Sequence, residues 1–421
     1  MLLAGAIGCA GDAAPVSGDV ETPVDSVLAA PVKALHFAVD TVARGLEIPW
    51  SLAIVPDGRI LLSERYGAIR TIQDGRLLER PWATVNVYAR DSIVWPESGL
   101  MGIALAPNFA VSGHVFVVAT SWRTEGDRTA ALPRRLWRRL GGWFSPEVGL
   151  RLKTQVIRVT DRDGIGTDPQ VIVDDLPANH YHAGGGLAFG PDGKLYVSIG
   201  DVLLPELVDS PESLAGKILR YNPDGTIPAD NPKRGSAVYA SGLRNSQAFV
   251  WLPDGTMLAV DHGPSGMPQE GGRAGQDELN AVLPGRNYGW PTEAGWNDMS
   301  GSEPPLWVWQ AGLAPAGMAI WGGSTAEDSA TILIGGLRRR LERVELVRGS
   351  SGWQVAARDT VLDGTWGRLR AIHRAPDGAL YVTTSNRDAR GTATPSDDLL
   401  LRLRDASDMT RTSTRELIRV P

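Results

Sequence analysis

Hydrophobic and polar positions along this chain alternate on a short scale. A brief apolar run is followed by a tight polar corner and a second apolar run. Ser51-Leu52-Ala53-Ile54-Val55 leads into Pro56-Asp57-Gly58 and then Arg59-Ile60-Leu61-Leu62. The Pro-Asp-Gly corner returns at 191–193, 223–225, 253–255 and 376–378. A looser copy joins Ile103-Ala104-Leu105-Ala106 through Pro107-Asn108 to Val115-Phe116-Val117-Val118. Proline presets φ at the first corner, and Asp-Gly tolerates the positive φ of a tight hairpin. Hairpins recurring at intervals of tens of residues predict a β-propeller, in which radial packing protects strand edges. The uneven spacing of the copies predicts long insertions between strands. Long loops on a rigid ring are where a site is built. There is no long helical periodicity, and no apolar run is long enough to span a bilayer.

Composition sharpens this picture. The 421 residues are 43% hydrophobic and include 49 glycines and 29 prolines, which suits a large all-β fold of many turns. The net charge of −6 argues against a nucleic-acid partner. The one cysteine, Cys9, leaves no intrachain disulfide, no Cys-rich zinc site and no c-type haem motif. Redox chemistry would therefore need a bound organic cofactor or non-thiolate metal ligands. Met1-Leu2-Leu3-Ala4-Gly5-Ala6-Ile7-Gly8-Cys9 reads as the end of an apolar export signal before a cysteine, although no basic n-region precedes it. The chain then divides into a lipoprotein-like signal and tether over 1–34, a propeller over 35–407 and a tail over 408–421. The expected address is exported, periplasmic or at the cell surface, with a membrane tether through Cys9. The basic, aromatic segment 132–144 (Leu132 to Phe144) reads either as a solvated loop or as a surface for a membrane or an acidic redox partner.

Four stretches carry candidate chemistry. Asn179-His180-Tyr181-His182-Ala183-Gly184-Gly185-Gly186 puts two histidines against three glycines at a strand start. Glycine lets a flat ligand approach the backbone closely, although an ordinary hairpin with incidental histidines has the same spacing. Ser241-Gly242-Leu243-Arg244-Asn245 and Trp366-Gly367-Arg368-Leu369-Arg370 bring arginines, and Arg368 and Arg370 share one side of a strand. With Arg244 and Arg338 they can fork onto carboxylates. Asp261-His262-Gly263-Pro264 and, after an insertion, Asp277-Glu278 offer hard oxygen donors of the kind calcium takes. A histidine base, several arginines and an oxygen-rich metal site would together suit a polyanionic cofactor.

These motifs resemble those of the soluble pyrroloquinoline-quinone-dependent glucose/aldose (sorbosone-type) sugar dehydrogenases, over about Pro49 to Leu403. The resemblance is carried by Pro49-Trp50-Ser51-Leu52, Gly99-Leu100-Met101-Gly102, Leu214-Ala215-Gly216-Lys217-Ile218-Leu219-Arg220, Arg244-Asn245, Asp277-Glu278-Leu279-Asn280 and Asn287-Tyr288-Gly289-Trp290-Pro291. It implies a six-bladed all-β propeller with pyrroloquinoline quinone and calcium as cofactors. A sugar would be the substrate, and a separate quinone or cytochrome would accept the electrons. It further implies His182 as the base, in preference to His180, with Arg244 beside it. Arg244, Asn245, Arg368 and Arg370 would hold the cofactor. Glu97 stands there where glutamine is usual, and Arg338 where lysine is usual. Tyr181 replaces an aspartate of some members. Carbonyls of Gly263 and Pro264 would take one calcium, and Glu278 with Tyr288 a second. The expected reaction is oxidation of an aldose to its lactone, with the hydroxyl proton passing to His182 and hydride to the quinone. A calcium-dependent propeller lactonase would need the oxygen donors and a histidine but not the arginines. A non-catalytic surface-binding propeller is the third alternative.

Overall fold

The computed structural model describes residues 35–91, 96–124, 151–267, 270–296, 301–322 and 328–406. Cys9, the 132–144 segment and the 408–421 tail lie outside the described residues.

Six antiparallel sheets follow one another along the chain. Blade one comprises Pro49–Ile54, Ile60–Glu64, Ala68–Gln73 and Arg76–Leu77, with Ala83–Thr84 also pairing to its third strand. Blade two is built from Leu100–Leu105, His114–Trp122, Leu152–Arg162 and Ile165–Leu176. Blade three has Leu187–Phe189, Leu195–Ile199, Lys217–Tyr221 and Val238–Ser241; blade four has Ser246–Trp251, Met257–Asp261, Asp277–Val282 and Trp307–Trp309. Blade five runs through Pro315–Trp321, Ser329–Gly336, Arg340–Gly349 and Gly352–Asp363. Blade six takes Leu369–Arg374, Leu380–Thr384 and Leu400–Asp405 from one end of the chain and Phe37–Ala43 from the other. The first strands of the blades touch in sequence, and the last returns to the first. The fold is the expected six-bladed β-propeller.

The period-two pattern explains why the blades pack as a ring. Alternate side chains of a strand face opposite sides of its sheet. In blade five, Ile332 and Ile334 join the apolar cluster shared with blade four, while Leu333 between them joins the cluster shared with blade six. In blade one, Leu61 faces blade two, and Ile60 and Leu62 face blade six. Each fully buried leucine contributes about 1.5–3 kcal/mol from burial. A slip of one residue would turn every one of them to the wrong neighbour.

Four Pro-Asp-Gly corners, at 56–58, 191–193, 253–255 and 376–378, join first to second strands in blades one, three, four and six. The fifth, at 223–225, follows the third strand of blade three. In each, the aspartate Oδ1 accepts the N–H two residues on, as from Arg59, Lys194 and Thr256 at 2.9–3.0 Å. In blade two the equivalent connection is a short helical turn, Phe109–Ser112. Antiparallel connectivity puts all first-to-second and third-to-fourth turns at one end of the ring.

Candidate active site

At the opposite end gather the connections between blades and those from second to third strands. They carry Glu97, His182, Arg244, Asn245, Gly263, Pro264, Arg338 and Arg368, while Arg370 stands on the first strand of blade six. They surround a hollow lined by Trp50, Glu97, Asn245, Arg368, Arg370 and Arg390 among others. His182 and Arg244 sit just behind this wall, adjoining the lining residues Ala183 and Asn245.

His182 is buried, with φ at +51°, a conformation that a non-glycine residue keeps only when its surroundings hold it there. Its N–H donates to Glu97 Oε2 at 3.0 Å, and its carbonyl accepts from Val202 at 3.3 Å. Its ring lies between two partners: Nδ1 is 2.7 Å from Asp201 Oδ1, and Nε2 is 2.9 Å from Arg244 Nη2. A guanidinium can only donate, so Nε2 accepts and Nδ1 carries the proton. Asp201 also accepts from Trp290 Nε1 at 2.9 Å and from the Leu203 N–H at 2.9 Å. Burial pushes the Asp201 carboxyl up, but His182 and Arg244 outweigh it and hold it below its ordinary value. His180, by contrast, is hydrogen-bonded to the Tyr88 hydroxyl.

The glycines after His182 have a packing reason. A Cβ on Gly184 would lie 2.5 Å from the Ser198 carbonyl oxygen, and one on Gly185 would lie 2.6 Å from Met101 Sδ. They let the chain pass between blades two and three while keeping His182 in place.

Asp261 shapes the Arg244-Asn245 turn by accepting both of its N–H groups, at 2.8 and 2.7 Å. Burial pushes this carboxyl up to about 6. Asn245 Oδ1 in turn accepts the Gly184 N–H at 3.0 Å.

Along another wall, cations outnumber anions. Asp388 lies 3.1 Å from Arg65, 3.7 Å from Arg368 and 3.8 Å from Arg370, all of them buried. Glu97 pairs with Arg390 at 3.0 Å. Four guanidiniums thus face two carboxylates. Burial raises the Asp388 carboxyl, but Arg65, Arg368 and Arg370 hold it well below the usual carboxylate range. Burial, with Arg65 nearby, pushes Arg370 down to about 9, and its guanidinium stacks over Trp50 at 5.6 Å. Among the described residues, Arg65 Nε and Nη2 and Arg368 Nε are buried without a hydrogen-bond partner. Buried donors left unpaired are costly; of the two residues, Arg368 lines the hollow and Arg65 does not.

Arg338 is exposed and donates to the Ala311 carbonyl at 2.6 Å, outside the hollow. The Gly263 N–H donates to Asp277 Oδ1 at 2.8 Å, and the Pro264 carbonyl accepts from Gly275 at 3.0 Å. Glu278 is buried and accepts from the Gly295 N–H and the Asn280 side chain. Burial, then Asp261, pushes its carboxyl up to about 8. The Tyr288 hydroxyl donates to the Ala281 carbonyl at 2.7 Å. Among the described residues, no three His, Cys, Asp or Glu side chains form a metal-holding group.

Sequence reading missed Asp201, Asp388, Arg65, Arg390 and Glu270. Asp201 and Arg65 each stand just past the end of a second strand, the place from which the site is built, and that position was a usable signal. Asp388, Arg390 and Glu270 sit in irregular loops with no pattern to mark them.

The family model for Glucose / Sorbosone dehydrogenase matches residues 46–401. An aldose sugar dehydrogenase of Escherichia coli is 29% identical, over 82% of this chain and 89% of its own. The crystal structure of a putative oxidoreductase (glucose dehydrogenase) from Thermus thermophilus superposes with a TM-score of 0.74 at 38% identity, covering 87% of this chain and all of the other. The PQQ-bound form of an aldose sugar dehydrogenase from Streptomyces coelicolor gives 0.70 at 31% identity, covering 89% and 99%. Ring, arginine wall and histidine dyad thus stand in a chain that belongs to the glucose/sorbosone dehydrogenase family of oxidoreductases.

Proposed function

We propose that the protein oxidises the anomeric hydroxyl of an aldose to the lactone, with pyrroloquinoline quinone and calcium as cofactors. The observation that carries this reading is the buried arginine wall with unpaired guanidinium nitrogens beside the His182–Asp201 pair. Arg368, Arg370 and Asn245, which line the hollow, would hold the carboxylates of the quinone, with Arg65 behind them on Asp388. Glu97 is compatible with such an anion because Arg390 and the His182 N–H already neutralise it; burial raises its carboxyl, but Arg390 and His182 bring it down to about 2. The carbonyls of Gly263 and Pro264 are hard donors suited to calcium, and the Glu278 carboxylate would ionise readily beside a second cation, with Tyr288 nearby in sequence. When bound, the quinone supplies the two-electron oxidant and calcium a Lewis acid.

The chain's own residues supply positioning and proton transfer. His182 exchanges the Arg244 hydrogen bond at Nε2 for the sugar hydroxyl and takes its proton there. Asp201, fixed by Trp290, orients the ring and balances the imidazolium that forms. Arg244 then donates to the oxygen that loses the proton. The electrons would pass on to a separate quinone or cytochrome. The apolar leader ending at Cys9 supports export.

The test is reconstitution of the full chain with pyrroloquinoline quinone and calcium, following dye reduction with a panel of aldoses, with and without EDTA. Quinone-dependent, EDTA-sensitive turnover is expected. Tight quinone uptake with no turnover on any aldose would overturn the substrate class, and no uptake would overturn the cofactor.

A further inference from the structure

The stretch between Pro264 and Asp277 brings one more buried carboxylate to the site, and aldose oxidation as described above does not use it. Glu270 Oε1 accepts from Arg244 Nε at 2.7 Å and lies 2.6 Å from Nη2. Its Oε2 accepts the N–H groups of Ser265 at 2.8 Å and Met267 at 3.2 Å. Both partners of the ion pair are almost wholly buried. Arg244 Nη2 also donates to Ser265 Oγ at 2.8 Å, and the guanidinium faces the Trp290 ring at 5.5 Å. The same Nη2 is the atom that meets His182 Nε2 at 2.9 Å.

We propose that Glu270 is a positioning residue, fixing the Arg244 guanidinium so that Nη2 is aimed at His182 Nε2. The proposal rests on His182 being the base. An arginine side chain has many rotamers, and anionic ligands would attract this one. The fork to Glu270 removes that freedom and also neutralises the cation beside the base. Two backbone N–H groups, of Ser265 and Met267, lock the carboxylate itself, so Glu270 braces the guanidinium from behind. His182 then keeps its proton on Nδ1 and its lone pair at Nε2, which Nη2 occupies until the sugar hydroxyl displaces it and Nη2 is left beside the hydroxyl oxygen.

The test uses Glu270→Ala and Glu270→Gln in the full chain. The chain has six histidines, so long-range 15N–1H spectra of the cofactor-free protein can resolve His182, assigned by its loss in His182→Gln. The expected result is a His182 Nε2 resonance displaced in Glu270→Ala. In the reconstituted enzyme, kcat falls roughly 100-fold in Glu270→Ala and roughly 10-fold in Glu270→Gln, the scale of a misplaced catalytic group. KM for the aldose and the Kd for quinone, read by titration, stay close to the parent values. An unchanged His182 spectrum in Glu270→Ala overturns the proposal. So does a loss of turnover that tracks weaker quinone binding, because Glu270 would then be a structural support. If Glu270→Ala fails to fold, Glu270→Gln decides by the same readings. If the parent takes up no quinone, the oxidation reading fails by itself, and the spectrum still decides the placement of Arg244.

Discussion

Replacing Asp388 by asparagine tests the arginine wall most directly. Asp388 is the shared counter-ion of Arg65, Arg368 and Arg370, at 3.1, 3.7 and 3.8 Å. At an effective dielectric of about 20, each of these attractions is worth about 4–5 kcal/mol before solvation. Much of that is offset by the cost of burying the ions. What remains when one partner of a buried pair is removed is typically about 3–5 kcal/mol. The amide keeps the shape and takes away the charge, leaving three buried guanidiniums to repel one another. The cofactor-free Asp388→Asn protein should therefore lose about 3–5 kcal/mol in urea denaturation. Its affinity for the polyanionic quinone should not fall, because one competing anion is gone, and saturating quinone should restore part of the lost stability. A variant within about 1 kcal/mol of the parent, with quinone affinity reduced, would refute the idea that these cations are held ready for an anion.

Three further outcomes follow from the same geometry. His182→Ala should lower kcat by roughly 10²–10⁴-fold while leaving the quinone titration close to that of the parent; because the ring is the buried partner of Asp201 and Arg244, its loss should also cost about 1–3 kcal/mol of stability. Asp201→Asn should cost kcat on a similar scale by disturbing the tautomer, whereas Trp290→Phe, which removes one hydrogen bond to Asp201, should cost only about 1 kcal/mol; steady-state kinetics on both variants would separate them. The depressed carboxyls of Asp388 and Glu97 stabilise the fold above the unfolded-state pKa of about 4 and lose that contribution as pH falls through their folded values. The urea midpoint should therefore drop between about pH 4 and 2, and Asp388→Asn should flatten the drop.

The ring was legible because its signal is local. Each Pro-Asp-Gly corner is a self-contained turn, and each strand such as Ile332-Leu333-Ile334 is a short apolar run, buried on both faces between two neighbouring blades. The site was legible only where short motifs carried a family resemblance, as at Arg244-Asn245 and Arg368-Leu369-Arg370. Those corners all mark the end of the ring away from the chemistry, so the feature that gave the fold says nothing about the site. Asp388 and Glu270 act on arginines 18 and 26 positions away or farther in sequence. No periodicity connects such pairs, because burial and a shared pocket join them. The glycines after His182 read as a shelf for a ligand, and their tight contacts with Ser198 and Met101 show that blade packing also requires them.

The placement of the arginine wall also bears on why the chain closes its ring as it does. Arg65 belongs to blade one, while Arg368, Arg370 and Asp388 belong to blade six. The Arg65–Asp388 pair at 3.1 Å therefore ties together the two blades that lie at opposite ends of the ring's path along the chain, while the excess of guanidiniums over carboxylates works against that contact. The seam between them is stitched more than once. Phe37–Ala43 pairs with Leu400–Asp405. Leu46 and Asp398 exchange backbone hydrogen bonds at 3.0 and 2.9 Å, Gly45 donates to the Ser396 carbonyl at 3.1 Å, and the Ile48 N–H reaches Asp398 Oδ2 at 3.2 Å. Leu46, Leu52, Leu62 and Leu400 bury an apolar cluster in the same gap. A wall of cations that awaits an anion costs stability until the anion arrives, and a clasped seam can carry that cost without the blades parting.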